Sequence, residues 1–143
     1  GFLNDPNLQN WVERFPYQDG LLISYWDTSY ADNNTGEHPG GGLILPIDAH
    51  PATMYRADGV PWRPRVQAYD STFGIWRTDA ITLHRNSVPS HHSSLPAVRV
   101  FNDNIQYWNP ETPTAGVMNP HTGTRIRITG LSHHGTFMGI EVR

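Results

Sequence analysis

The sequence predicts an all-β domain: an antiparallel β-sandwich of about seven or eight short strands with one short N-terminal helix. Three observations carry this. The 13 glycines and 12 prolines supply turns at a density that suits short strands better than long helices. The apolar residues come in brief runs bounded by Gly, Pro, Asn and Asp, Leu21 to Trp26 and Leu43 to Ile47 being the most apolar. Elsewhere polar and apolar residues alternate with the period of a half-buried strand, most cleanly in Thr124-Arg-Ile-Arg-Ile128. The 143 residues suit a single domain, 1–143, large enough to bury a core, and five Trp, six Tyr and five Phe supply large side chains to fill it.

Taken in order, Asp5-Pro6 followed by Leu8, Trp11, Val12 and Phe15 has the i, i+3, i+4, i+7 spacing of a short helix. Asp5 would cap it, Pro6 would open it and Pro16 would stop it. Leu21–Trp26 and Leu43–Ile47 read as a central strand pair joined by a polar loop. Ala57-Asp-Gly59 reads as a tight turn, because glycine supplies the positive φ that such turns need. Val66–Tyr69 and Ala80–His84 read as strands, with Asp70-Ser-Thr-Phe73 breaking the pattern between them. Arg85 to Leu95, with Pro89 and His91-His92-Ser-Ser94, has no periodicity and reads as a surface loop. Pro96–Phe101 returns to strand, and Ile105–Trp108 fits a short strand or a helical turn equally. Thr124–Ile128 and Thr136–Val142 form a terminal hairpin.

Composition excludes several function classes. A formal charge of −3 gives no electrostatic basis for binding nucleic acid or an anionic membrane surface. All ten basic residues are arginine, through coding bias or selection against lysine. Without cysteine there is no disulfide framework, thiolate chemistry or Cys-type zinc site, a composition compatible with a secreted bacterial protein. No apolar run is long enough to span a membrane as a helix. The chain opens at Gly1-Phe-Leu without a signal-peptide pattern, so it reads as a processed or truncated product.

None of the eight histidines begins the H-E-x-x-H pattern that puts two imidazoles and a general base on one helix face. A zinc site from scattered histidines would draw on His38, His50, His133 or His134, against the plainer reading of loop histidines. Asp48 and His50, two apart, would share a strand face, but Pro51 ends the strand and argues against a catalytic dyad. There is no G-x-S-x-G elbow. The densest oxygen cluster lies in the loop after the first strand: Asp27, Asp32, Asn33, Asn34 and Glu37. Calcium takes six to eight such oxygens, so these five are the candidate metal ligands, although Asp and Asn equally make turns by bonding their own backbone. No catalytic residue and no required cofactor can be placed in the chain.

Several stretches resemble a known family. These are Tyr17-Gln-Asp-Gly-Leu-Leu-Ile-Ser-Tyr-Trp-Asp-Thr-Ser, Asp32-Asn33, His38-Pro-Gly40 and Leu45-Pro-Ile-Asp-Ala-His-Pro51, then Phe101-Asn-Asp103, Tyr107-Trp108 and Pro113-Thr-Ala-Gly116. Together they resemble the C-terminal region of the immune inhibitor A family of secreted bacterial metallopeptidases. That resemblance implies a precursor with a propeptide, a zinc-bearing catalytic domain and β-rich accessory domains, with secretion and structural calcium. The zinc ligands and catalytic Glu would lie in the catalytic domain, outside this chain. The chain would then be a C-terminal fragment and a non-catalytic accessory module, serving domain docking, precursor folding or substrate binding. Its partners would be the catalytic domain, other parts of the precursor or protein substrates. The alternative is a released fragment that acts alone as a binding, inhibitory or self-assembling protein, with Leu21–Trp26 and the terminal hairpin as its open strand edges.

Overall fold

A computed structural model describes residues 2–3, 11–12, 17–61, 69–85, 88–107, 117–131 and 137–143. The described residues are all-β and carry nine strands, seven of them of three residues or more. These are β1 (Phe2–Leu3), β2 (Trp11–Val12), β3 (Ile23–Trp26), β4 (Ile44–Ile47), β5 (Ile81–Arg85), β6 (Val88–His92), β7 (Val100–Asn102), β8 (Arg125–Leu131) and β9 (Met138–Val142). Every pairing is antiparallel, in the order β1-β2, β3-β4, β5-β6 and β7-β8-β9. The class is as the sequence predicts, but the described pairings define four small sheets, not the two continuous layers of a sandwich.

Two sequence expectations are corrected. Trp11–Val12, placed in a helix by its apolar spacing, is extended and pairs with Phe2–Leu3. A strand partner supplied from the start of the chain outweighs a periodicity that only two turns of helix could have used. The rest of the expected helix lies outside the described residues, as do Val66–Ala68 and His133–His134. The second correction is β6. Val88–His92 pairs residue by residue with β5, Ile81 facing His92 and Arg85 facing Val88. Its period of two was hidden because the inward residue is Ser90, buried with its hydroxyl accepting the Ala57 N–H at 2.9 Å.

The expected pairs β3–β4 and β8–β9 are both present. In the first, Ile23 faces Ile47 and Tyr25 faces Leu45, so Ile23, Leu45 and Ile47 point into the core. The turn at Gly59 is also as expected, with φ of 79° and the Arg56 N–H donating to the Val60 carbonyl at 2.8 Å. Pro96–Phe101 is a strand only from Val100, and Tyr107 makes a single bridge to Val117.

One cluster joins the β3–β4 pair to the β7–β8–β9 sheet: Ile23, Leu45, Ile47, Ala49, Phe73, Phe101, Tyr107, Val117 and Ile128. Phe73 is fully buried. Its ring stands edge-on to Phe101 at 5.8 Å and to Tyr107 at 5.4 Å, and its backbone exchanges two hydrogen bonds with Leu21. Gly20 makes this approach possible, since a Cβ there would lie 2.5 Å from the Phe73 carbonyl oxygen. Phe73→Ala is therefore expected to lower stability by about 3–5 kcal/mol in urea unfolding, the usual cost of truncating a buried phenylalanine. A smaller loss for Gly20→Ala than for Phe73→Leu would contradict this account.

Candidate functional site

The candidate ligand loop after β3 is held by its own side chains. The Asp27 carboxylate accepts from the Ser29 N–H at 2.9 Å and its hydroxyl at 2.6 Å. Asp32 accepts from the Asn34 N–H at 2.7 Å and lies 2.8 Å from His38 Nε2. Asn34 accepts from the Gly36 N–H at 3.2 Å, and Asn33 reaches across the loop to the Ile44 N–H at 2.8 Å. His38 Nδ1 lies 2.7 Å from the Gly41 carbonyl, and its ring packs 4.7 Å from that of Tyr30.

The electrostatics follow these bonds. The Ser29 hydroxyl and N–H hold Asp27 below the usual carboxylate range. The Asn34 N–H, then His38, do the same for Asp32. The Gly41 carbonyl, then Asp32, raise His38 against a lowering effect of burial. Of the five candidate ligands, Asp27, Asp32, Asn33 and Asn34 thus spend an oxygen on the loop's own N–H groups, as turn-forming residues do. Among the described residues no three His, Asp or Glu side chains gather so as to hold a metal ion.

A second polar centre lies in the core, where Tyr69-Asp-Ser-Thr-Phe73 is buried throughout. The sequence reading took Asp70-Ser-Thr as a pattern break, and nothing in its polarity signals burial. Asp48, also buried, accepts from the His50 backbone N–H at 2.8 Å, so the two form a turn and not a dyad. The His50 ring instead joins distant segments, Nδ1 lying 2.6 Å from the Asp70 carbonyl and Nε2 2.8 Å from that of Pro96. Beside it is a cavity of about 370 Å³, lined by Tyr17, Gln18, Asp19, Trp76, Arg77 and Asp79 among others. Arg77 is already engaged with Ser94, and Gln18 accepts the Asp79 N–H at 2.8 Å.

Burial, then the charge of Asp70, pushes Asp48 up to about 7. Burial also raises Asp70, and Tyr69 is pushed up to about 12 by burial and by Asp70. A raised carboxyl keeps its proton in the folded chain at pH values where the unfolded chain has lost it. The stability this brings is complete below pH 3.8 and is lost as pH rises to about 7. Asp48→Asn keeps the acceptor for the His50 N–H and removes the charge. In urea unfolding between pH 4 and 8 the variant is expected to lose less stability on going to neutral pH than the parent does, with the two curves converging in acid. Parallel curves would mean that Asp48 ionises freely in the folded chain.

The profile of the family described as immune inhibitor A-like metallopeptidase, VEG domain, matches residues 3–140. Immune inhibitor A of Bacillus thuringiensis subsp. alesti is 31% identical over 119 residues, which is 80% of this chain and 17% of that protein. Pre-pro-metalloprotease PrtV of Vibrio cholerae serotype O1 (strain M66-2) is 32% identical over 135 residues, 92% of this chain and 14% of that protein. The chain thus spans only a small part of the length of either relative. The match agrees with the resemblance carried by the stretches from Tyr17 to Gly116, so this protein belongs to the VEG-domain family of immune inhibitor A-like metallopeptidases.

Proposed function

We propose that the chain is one non-catalytic accessory domain, 1–143, of an exported immune inhibitor A-like metallopeptidase precursor, and that it docks on other parts of that precursor. The observation that carries this is coverage: most of the chain aligns to proteins of which it makes up only 17% and 14%. A segment of that share, in proteins named for a peptidase activity, has the size of one domain among several. Export is supported by the name of the Vibrio relative, which marks that protein as a pre-pro form.

The chemistry of the described residues fits a binding role better than a reaction. His38, His50, Asp32 and Asp48 are all engaged in turn and staple bonds that fix the backbone. No helix among the described residues is long and apolar enough to cross a membrane.

The test separates the chain from the rest of its precursor. The 143-residue chain is added in trans to a precursor from which it has been deleted. Co-elution and the yield of folded, active peptidase are then measured. The expected result is no peptidase activity in the chain alone, a complex with the remainder, and a higher yield of active enzyme in its presence. Casein hydrolysis by the purified chain, or a deleted precursor that matures normally and ignores the chain, would overturn the proposal.

A further inference from the structure

We propose that the outer edge of β3, carrying Leu22, Ser24 and Trp26, receives an extended segment of a partner polypeptide as an added strand. The segment would seat one apolar side chain in the cavity beside that edge. This rests on the docking reading above and names the surface through which docking occurs.

The direction of the β3 hydrogen bonds fixes which edge is open. In an antiparallel pair, every second residue exchanges both bonds with its partner and the residues between point theirs the other way. Asp27 donates to the Leu43 carbonyl at 2.9 Å, so the odd residues of β3 bond toward β4. Pro46, which has no N–H, lies opposite Ser24, where that register requires none. Leu21 continues the same parity through its two bonds to Phe73. The N–H and C=O groups of Ser24 and Trp26 therefore face away from β4, and β4 is the only strand that pairs with β3 among the described residues.

The two edges of this pair are treated differently. On the far side of β4 the outward residues are Ile44 and Pro46. The Ile44 N–H is taken by the Asn33 side chain at 2.8 Å, and Pro46 offers no donor, so that edge is closed to further pairing. Among the described residues nothing closes the β3 edge in this way, and it is apolar, with Trp26 67% and Leu22 41% exposed. The outer edge of β9 is also apolar, but its partner strand carries a bulge between Ile128 and Gly130 and it ends in the Glu141–Arg143 ion pair, both of which discourage an added strand.

Beside the β3 edge lies a cavity of about 290 Å³ lined by Ile23, Ile47, Phe101 and Ile126, with Asn119 at its wall. Asn119 is buried, and its Nδ2 donates to the Asp103 carbonyl at 2.6 Å. That bond fixes the amide orientation and leaves Oδ1 buried without a donor. An occupant with an apolar body and an N–H or O–H would match a wall that combines apolar side chains with Asn119, Ser24 and Thr124. An extended peptide has both. Its residue opposite Ser24 would face outward, and its residue opposite Tyr25 would point inward, toward the cavity. Half-buried Asp27, directly after Trp26, favours a basic residue in the segment at that end.

The experiment titrates the full chain with the precursor remainder and follows amide hydrogen exchange by NMR. Exchange at Ser24 and Trp26, fast in the free chain, is expected to slow by at least about tenfold in the complex. Ser24→Pro removes an outward N–H that β4 does not use, so the fold is kept while the affinity falls by about tenfold or more. Trp26→Thr, which leaves the ladder intact, gives a second variant expected to weaken binding. A complex in which both amides exchange as before, or that Ser24→Pro leaves unchanged, would overturn the strand-addition proposal while the docking reading stands. No complex at all would overturn both. A dimer of the chain abolished by Ser24→Pro, without binding to the remainder, would put a second copy in the edge and overturn the assigned partner.

Discussion

The packing of Phe73 is the constraint on which the rest of the described structure depends. None of the sheets has more than three strands, and a pair of strands alone is at best marginally stable in water. Stability must come from joining the sheets through side chains. Phe73 does this from a segment that is not itself a strand: its backbone extends the β3–β4 unit through Leu21, while its ring meets Phe101 of β7 and Tyr107. Tyr107 stacks on Phe101 at 5.4 Å and accepts the Asn102 N–H at 3.0 Å, so the same aromatic group also fixes the end of β7. Edge-to-face aromatic contacts of this kind add directional preference to simple burial. They set how the β3–β4 pair and the β7–β8–β9 sheet meet.

Around this apolar centre runs a buried polar seam, which occupies Asp48, Asp70 and His50 in backbone contacts. Asp48, Asp70, Ser71, Thr72 and Thr78 are all buried, and burial of polar groups is tolerated when they bond to something, although Oδ1 of Asp70 has no hydrogen-bond partner. Ala49 donates to the Ser71 carbonyl at 3.1 Å, Leu95 to the Thr78 hydroxyl at 2.8 Å, and His50 bridges two carbonyls. The seam thereby does in the interior what a continuous ladder would have done. Its carboxyls and the surface loop respond to pH in partly opposite ways. The lowered Asp27 and Asp32 stabilise the loop above the ordinary carboxylate range and lose that contribution in acid. The raised His38 and Asp48 lose theirs as pH rises toward and beyond neutrality. Both sets contribute together only in the mildly acidic range between.

Legibility of the chain followed the distribution of apolar residues. The β3–β4 and β8–β9 pairs were readable because their inward positions are Ile and Leu and their connections are rich in turn residues. Strand β6 was not, since its inward residue is Ser90 and its other positions are Pro and His. Trp11 and Val12 misled because a short apolar spacing serves a helix or a strand, and pairing with Phe2–Leu3 decided between them. The loop oxygens carry a dual signal: Asp and Asn offer oxygens for a cation and also close turns, and in this fold Asp27, Asp32, Asn33 and Asn34 bond backbone N–H groups. The buried Asp70-Ser-Thr run was invisible because its burial depends on His50 and Ser71 meeting residues far along the chain.

A fold built of small sheets multiplies strand edges, and the chain answers this locally. Pro46 and the Asn33 amide close the outer side of β4, and a bulge with a terminal ion pair blunts the β8–β9 hairpin. Against that background the edge of β3 stands out, because among the described residues it combines backbone groups that no strand pairs, the exposed Trp26 and Leu22 side chains and a neighbouring cavity walled in part by Asn119, whose buried Oδ1 is unsatisfied. In a chain acting alone such an edge is a liability for aggregation. Within a protein several times longer, a neighbouring segment can cover it, bringing a donor to Asn119 and apolar surface to the cavity. The edge that is hardest to justify in an isolated domain is therefore the one that membership of a larger precursor explains most directly.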